Sequence, residues 1–220
     1  MLPRKVLVAS VTLALAAGSA AVTAQAQQGG RTTPSLSFFS GGAGAHADWL
    51  ATSDQPPGDT DNQAIRLVTS NGAPTFSQGY AGITLHHVAG TPAASFPDSS
   101  FWVKYQNYAG PTNGSPRLVV EFATPAGTPD GDAELSAGVA TGDWQQVNDN
   151  DNYTNSGWDI RSASCPFLYH QHWNQAQSCH AGDVVSAVYL VADAYGISHL
   201  IDDLQVENVN FTSASNNGNG

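Results

Sequence analysis

The sequence predicts an all-β fold, a two-sheet antiparallel β-sandwich of jelly-roll type, and three observations point there. Roughly ten short runs rich in β-branched and aromatic residues are separated by Gly, Pro, Asn and Asp at short spacing. No long stretch carries the apolar period of an amphipathic helix. The chain also closes on two β-rich runs, Val184–Asp193 and His199–Val206, joined by a brief break at Tyr195-Gly196, the pattern of paired antiparallel strands.

Residues 1–26 read as a secretory signal peptide. Arg4-Lys5 precede a small apolar run, and Ala24-Gln25-Ala26 form a small-x-small cleavage site. The apolar run is short and Ala-rich, so the expectation is an exported protein with no membrane span. Residues 27–34 are rich in Gln, Gly, Thr and Pro and read as a disordered lead-in, and residues 212–220 read as a flexible tail. Between them, residues 35–211 form one domain. Its strands are expected at Leu36–Phe39, Ala64–Val68, Ala81–Val88, Ser100–Tyr108, Arg117–Phe122, Glu134–Val139, Trp144–Val147 and Phe167–His172, followed by the two closing runs.

Removing the signal peptide takes two of the seven basic residues and none of the 18 acidic ones, leaving a net charge of −13. Such a chain repels phosphate backbones, which argues against nucleic acid as a partner. Of the acids, 15 are Asp and three are Glu, a bias toward loops and oxygen-rich cation sites that makes calcium the counter-ion to expect. Cys165 and Cys179 enclose 13 residues, and in an exported protein they read as a disulfide.

Two groups of side chains carry the chemistry of saccharide binding. In Phe101-Trp102-Val103-Lys104-Tyr105, Trp102 and Lys104 alternate with the apolar set, and in the next run Arg117 and Glu121 do the same. If those polar faces align, Trp102, Lys104, Arg117 and Glu121 form one patch on which a sugar ring stacks and is held at its rim. The competing placement puts Trp102 in the core. A second group, Tyr153, Trp158, Tyr169 and Trp173, reads as a loop rim around the oxygen-rich Asn148–Asn152 run, or as a loop packed by its own rings. Trp144 reads as a core residue.

His170, His172 and His180 lie near the cysteine loop and offer imidazole to zinc or copper, against the plainer reading of half-exposed strand residues. Strict alternation puts Asp202 on one face with Leu200, Leu204 and Val206, where a carboxylate is costly without donors or a cation. The pairs Asp130-Gly131-Asp132 and Asp149-Asn150-Asp151 lack EF-hand spacing and read as solvated turns.

The closing strands, with Ile201-Asp202-Asp203, resemble those of β-jelly-roll carbohydrate-binding modules of galactose-binding-like type. The resemblance implies a secreted, non-catalytic module that binds a polysaccharide or cell-surface glycan. It also implies a structural calcium held by Asp202 and completed from the region Ser40 to Asp48. In those modules an acidic residue follows the early Phe, where this chain has Ser40. A monomer is expected.

The enzymatic alternative is a polysaccharide lyase or glycoside hydrolase on the same scaffold. Glu121 and Glu134 are the strand-located Glu pair a hydrolase would use, and Tyr169, His170, His172 and Arg161 offer a lyase its base and its cation. No Gly-x-Ser-x-Gly elbow occurs, and disulfide-bonded cysteines leave no thiol nucleophile. A third reading is a purely structural exported protein.

Overall fold

The computed structural model describes residues 35–69, 79–106, 116–136, 142–149, 157–193, 198–207 and 209–211. The strands in chain order are β1 (Ser35–Gly41), β2 (His46–Ala51), β3 (Gln63–Val68), β4 (Tyr80–His86), β5 (Ser100–Tyr105), β6 (Arg117–Ala123) and β7 (Pro129–Ser136). They continue with β8 (Gln145–Val147), β9 (Trp158–Ser162), β10 (Leu168–Gln171), β11 (Val184–Ala192), β12 (Ser198–Val206) and β13 (Val209–Phe211). Among the described residues, an α-helix, α1 (Trp173–Cys179), lies between β10 and β11, and a short 3-10 turn (Ala93–Ser95) precedes β5.

All strand pairings among the described residues are antiparallel. Seven strands form one sheet in the order β1-β4-β11-β6-β7-β9-β10. The second runs β2-β3-β12-β5-β8, with β13 beside the far half of β12. The central quartets, β3-β12-β5-β8 and β4-β11-β6-β7, wind between the layers as a jelly roll does. A consequence for function is that β5 and β6 are consecutive in sequence yet belong to different sheets.

The core lies between the layers and is built by alternation. On β5, Phe101, Val103 and Tyr105 are buried while Trp102 and Lys104 are half-buried on the outer side. On β6, Leu118, Val120 and Phe122 enter the same core. Each fully buried Leu or Phe contributes about 1.5–3 kcal/mol.

Alternation fails on β12. Asp203 has φ 44, and the β12–β5 register shifts between Asp202 and Gln205. This extra residue reverses the phase of β12, so that Ile201, Leu204 and Val206 enter the core. Asp202 pairs with the outward-facing Trp102. The expectation that Asp202 shares a face with Leu204 and Val206 is therefore corrected by a β-bulge, although Asp202 is still only 4% exposed.

The helix α1 turns its side chains Trp173, Ala176 and Cys179 inward at a spacing of three, and Asp149 Oδ2 caps it by accepting from the Trp173 backbone N–H at 3.0 Å. Cys165 and Cys179 form the disulfide, with Cα atoms 5.7 Å apart, tying the end of α1 to the β9–β10 connection.

Candidate functional site

The outer face of the seven-stranded sheet carries a recessed ionic network. Arg117 and Glu121 stand on β6, Asp132 and Glu134 on β7, Arg161 on β9, and Tyr189 on β11; register places Glu121 opposite Asp132 and Glu134 opposite both Val119 and Asp159. Arg117 grips Asp193 with two hydrogen bonds of 2.9 and 2.5 Å and lies 3.6 Å from Glu134. Arg161 donates to Glu134 at 2.9 Å and approaches Asp132 at 3.5 Å, and the Tyr189 hydroxyl donates to Glu121 at 3.1 Å.

These groups are charged yet poorly exposed: side-chain exposure is 22% for Arg117, 16% for Glu134 and 22% for Asp132. Burial pushes Asp132 up to about 6, against the pull of Arg161 and with added repulsion from Glu134 and Glu121. The Tyr189 hydroxyl is raised by burial and by Glu121, so it stays a proton donor. At the edge of the network, Arg161 lies 5.2 Å from the ring centroid of Phe167, which meets Tyr169 edge-on at 4.2 Å. Phe167 is 41% and Tyr169 55% exposed. A floor of fixed donors and acceptors beside two open rings has the makeup of a polar ligand surface.

The opposite outer face, on the second sheet, holds Trp102 and Lys104. Lys104 Nζ donates to Asp54 Oδ1 at 2.8 Å, and Trp144 Nε1 donates to the same oxygen at 3.0 Å. Trp144 is thus an outer-face residue and not a core one. Because β5 and β6 lie in different sheets, the single patch of Trp102, Lys104, Arg117 and Glu121 does not exist. Two of those residues face one side of the sandwich and two the other.

Beside Trp102 is a cluster of three carboxylates. Asp59, Asp61 and Asp202 each bring one oxygen within 4.8 Å of the others. In each, Oδ1 is held by backbone N–H groups: Thr60 and Asp61 on Asp59, Gln63 on Asp61, and Asp203 on Asp202. Each Oδ2 is buried with no hydrogen-bond partner. Burial and repulsion from Asp59, Asp61 and Asp203 push Asp202 up to about 8, although the Asp203 N–H pulls the other way. This is a group of oriented, unsatisfied hard oxygens, and it could hold a metal ion. Its other members come from the β2–β3 loop. Asp48, the acid of the region Ser40 to Asp48, is not in the cluster and is instead paired with Arg66 at 2.6 Å.

Other sequence expectations are redirected. Trp158 and Trp173 are not rim residues: they are 0% and 3% exposed and pack on each other at 4.5 Å, because β9 alternates and α1 is amphipathic. Their indole N–H groups donate to Asp98 and to the Phe96 carbonyl. Tyr153 lies outside the described residues. The three histidines do not converge: His170 and His172 are exposed and lie 3.8 Å from Asp159 and Asp149, whereas His180 is fully buried near Asp130 and Asp183. Asp130 and Asp132 are not in a solvated turn but on β7.

No family with a known sequence signature matches the chain, and no curated protein is similar to it. Among solved structures, it is similar to the arabinose-bound α-L-arabinofuranosidase MgGH51, at 10% identity and a TM-score of 0.44 over 78% of this chain and 22% of that one. It is also similar to CtCBM11, known from its solution structure, dynamics and binding studies, at 12% identity and a TM-score of 0.44 over 81% of this chain and 90% of that one. The chain spans about a fifth of the arabinofuranosidase.

Proposed function

We propose that this is an exported, non-catalytic carbohydrate-binding domain that takes a polysaccharide or cell-surface glycan on the outer face of its seven-stranded sheet. The observation that carries the reading is the recessed network of Arg117, Glu121, Asp132, Glu134, Arg161 and Tyr189 beside the open rings of Phe167 and Tyr169. Sugar hydroxyls need donors and acceptors fixed before binding, and sugar C–H faces need an exposed ring. Both occur here on one sheet face. Calcium is the ion proposed for Asp59, Asp61 and Asp202, since three hard oxygens and no nitrogen suit it. Its role is structural, fixing the β2–β3 loop to β12.

The test is retention of the protein on a panel of insoluble and immobilised polysaccharides, with calcium and with EDTA. Retention that drops at least about tenfold in Tyr169→Ala and Arg161→Ala supports this face, by analogy with other interface anchors. Retention unchanged in both variants removes it. Loss in Trp102→Ala instead would move the site to the other sheet.

One observation favours a second reading, a glycoside hydrolase. Asp132 is held partly protonated near neutrality and faces Glu121 across the β6–β7 ladder, an acid and a carboxylate on one face. Release of reducing ends that stops in Asp132→Asn and Glu121→Gln would establish it.

A further inference from the structure

A second cluster of metal-ligating groups lies at one end of the sandwich, away from both outer faces. His180 caps the C-terminus of α1, its N–H donating to the Ala176 carbonyl at 3.0 Å, and the turn that follows returns the Asp183 N–H to the His180 carbonyl at 2.9 Å. That turn brings His180 Nδ1 to 3.0 Å from Asp183 Oδ2. Asp130 arrives from β7, where Gly131 at φ 109 and a register shift between Phe122 and Ala123 distort the ladder, and its Oδ2 lies 3.7 Å from the same Nδ1. The Ser162 hydroxyl lies 3.3 Å from that Asp130 oxygen.

The imidazole is rigidly placed. It is fully buried and stacked on Phe122, with centroids 3.9 Å apart and planes 15° apart, and its backbone follows a disulfide-bonded cysteine. Nε2 has no hydrogen-bond partner, so the polar contacts of this buried side chain are all at Nδ1, which is aimed at the two carboxylates. One proton on Nδ1 serves Asp183 alone, because Asp130 at 3.7 Å is beyond hydrogen-bond reach. Two carboxylates, 14% and 9% exposed, thus converge on one ring nitrogen.

We propose that Asp130, His180 and Asp183 form a transition-metal site of zinc type, chemically distinct from the all-oxygen cluster at Asp202. The spacing fits. A tetrahedral zinc with bonds of about 2.05 Å needs neighbouring ligand atoms about 3.3 Å apart, and the two distances from Nδ1, 3.0 and 3.7 Å, bracket that value. An imidazole nitrogen beside two carboxylates favours zinc over calcium. Three protein ligands leave a fourth position open to water. The inference is independent of glycan binding.

The experiment strips the full chain of metal with a chelator and titrates zinc in the presence of excess calcium, with cobalt(II) as a spectroscopic probe. Expected are one zinc bound per chain, visible cobalt absorption of a low-coordinate site, loss of both in His180→Gln, and no change in Asp202→Asn or in His170→Gln/His172→Gln. Absence of zinc uptake by the wild type, or equal uptake by His180→Gln, would overturn the proposal. If His180→Gln fails to fold, Asp130→Asn replaces it. Zinc affinity falling by at least about tenfold sustains the site, and unchanged affinity overturns it.

Discussion

Asp202 and Trp102 face each other across the β12–β5 ladder, on the outer side of the same sheet. Any ion seated on Asp59, Asp61 and Asp202 is therefore a neighbour of an indole. Calcium added to the chelated protein is expected to change tryptophan fluorescence with saturation at one ion per chain, and Trp102→Phe to remove most of that change. A calcium response that persists in full in Trp102→Phe would separate the ion from this cluster.

The same cluster should release a proton when it is filled. Asp202, pushed up to about 8 by burial and neighbouring carboxylates, is protonated at neutral pH without an ion, and a cation must displace that proton. Apparent calcium affinity is expected to rise about tenfold per pH unit from 6 toward 8 and then level off. Calorimetry in buffers of different ionisation enthalpy reads the released proton directly. In Asp202→Asn the slope disappears.

His199 lies wholly within the core, edge-on to Tyr105 at 5.0 Å, and burial pushes it down to about 4, outweighing the Leu67 backbone contact. Its ordinary value is about 6.5. A folded-state value below the unfolded one gives stability that is present above about 6.5 and lost as pH falls toward 4, on the order of 3 kcal/mol over that interval. His199→Phe should abolish this component. The measurement is the difference in unfolding free energy between wild type and variant at pH 7 and pH 4.5, and an equal acid loss in both refutes the assignment.

Gly82 sits where no side chain fits. A Cβ there would lie 2.4 Å from the Leu190 carbonyl oxygen and 2.5 Å from the Phe39 ring. Gly82→Ala is expected to cost about 1–3 kcal/mol through forced separation of β4 from β11. Denaturant midpoints check this, and a neutral substitution would mean the two strands pair more loosely than their register implies.

Breaking the Cys165–Cys179 bond frees the loop it closes and should cost about 3 kcal/mol. Comparing Cys165→Ser/Cys179→Ser with the wild type under the same conditions measures it. A loss well under 1 kcal/mol would mean that α1 and the β9–β10 connection are held by packing alone.

Much of the sandwich was legible because alternation is a local signal. The β5 run announced which of its side chains face out, and the two closing strands announced a pair. The choice of sheet is not local: nothing in residues 100–123 says that the chain crosses between layers there, so the patch joining Trp102 to Arg117 failed. The bulge at Asp203 is equally invisible to a two-residue count. The strand β9 had its signal, with Trp158 and Ile160 in and Asp159 and Arg161 out, but it follows an Asn- and Asp-rich run that reads as loop. Asp202 stands out in the sequence as a candidate ligand because a carboxylate is costly in an apolar strand. Asp59 and Asp61 could not be, because only β3 pairing with β12 brings them near.

The central strand of each sheet, β11 between β4 and β6 and β12 between β3 and β5, comes from residues 184–206, near the end of the chain. Until that segment emerges, the inner edges of β3, β4, β5 and β6 have nothing to bond to, and neither layer can close. Neither sheet closes without residues 184–206, and a product cut short before Val184 would be left with four open strand edges as templates for aggregation.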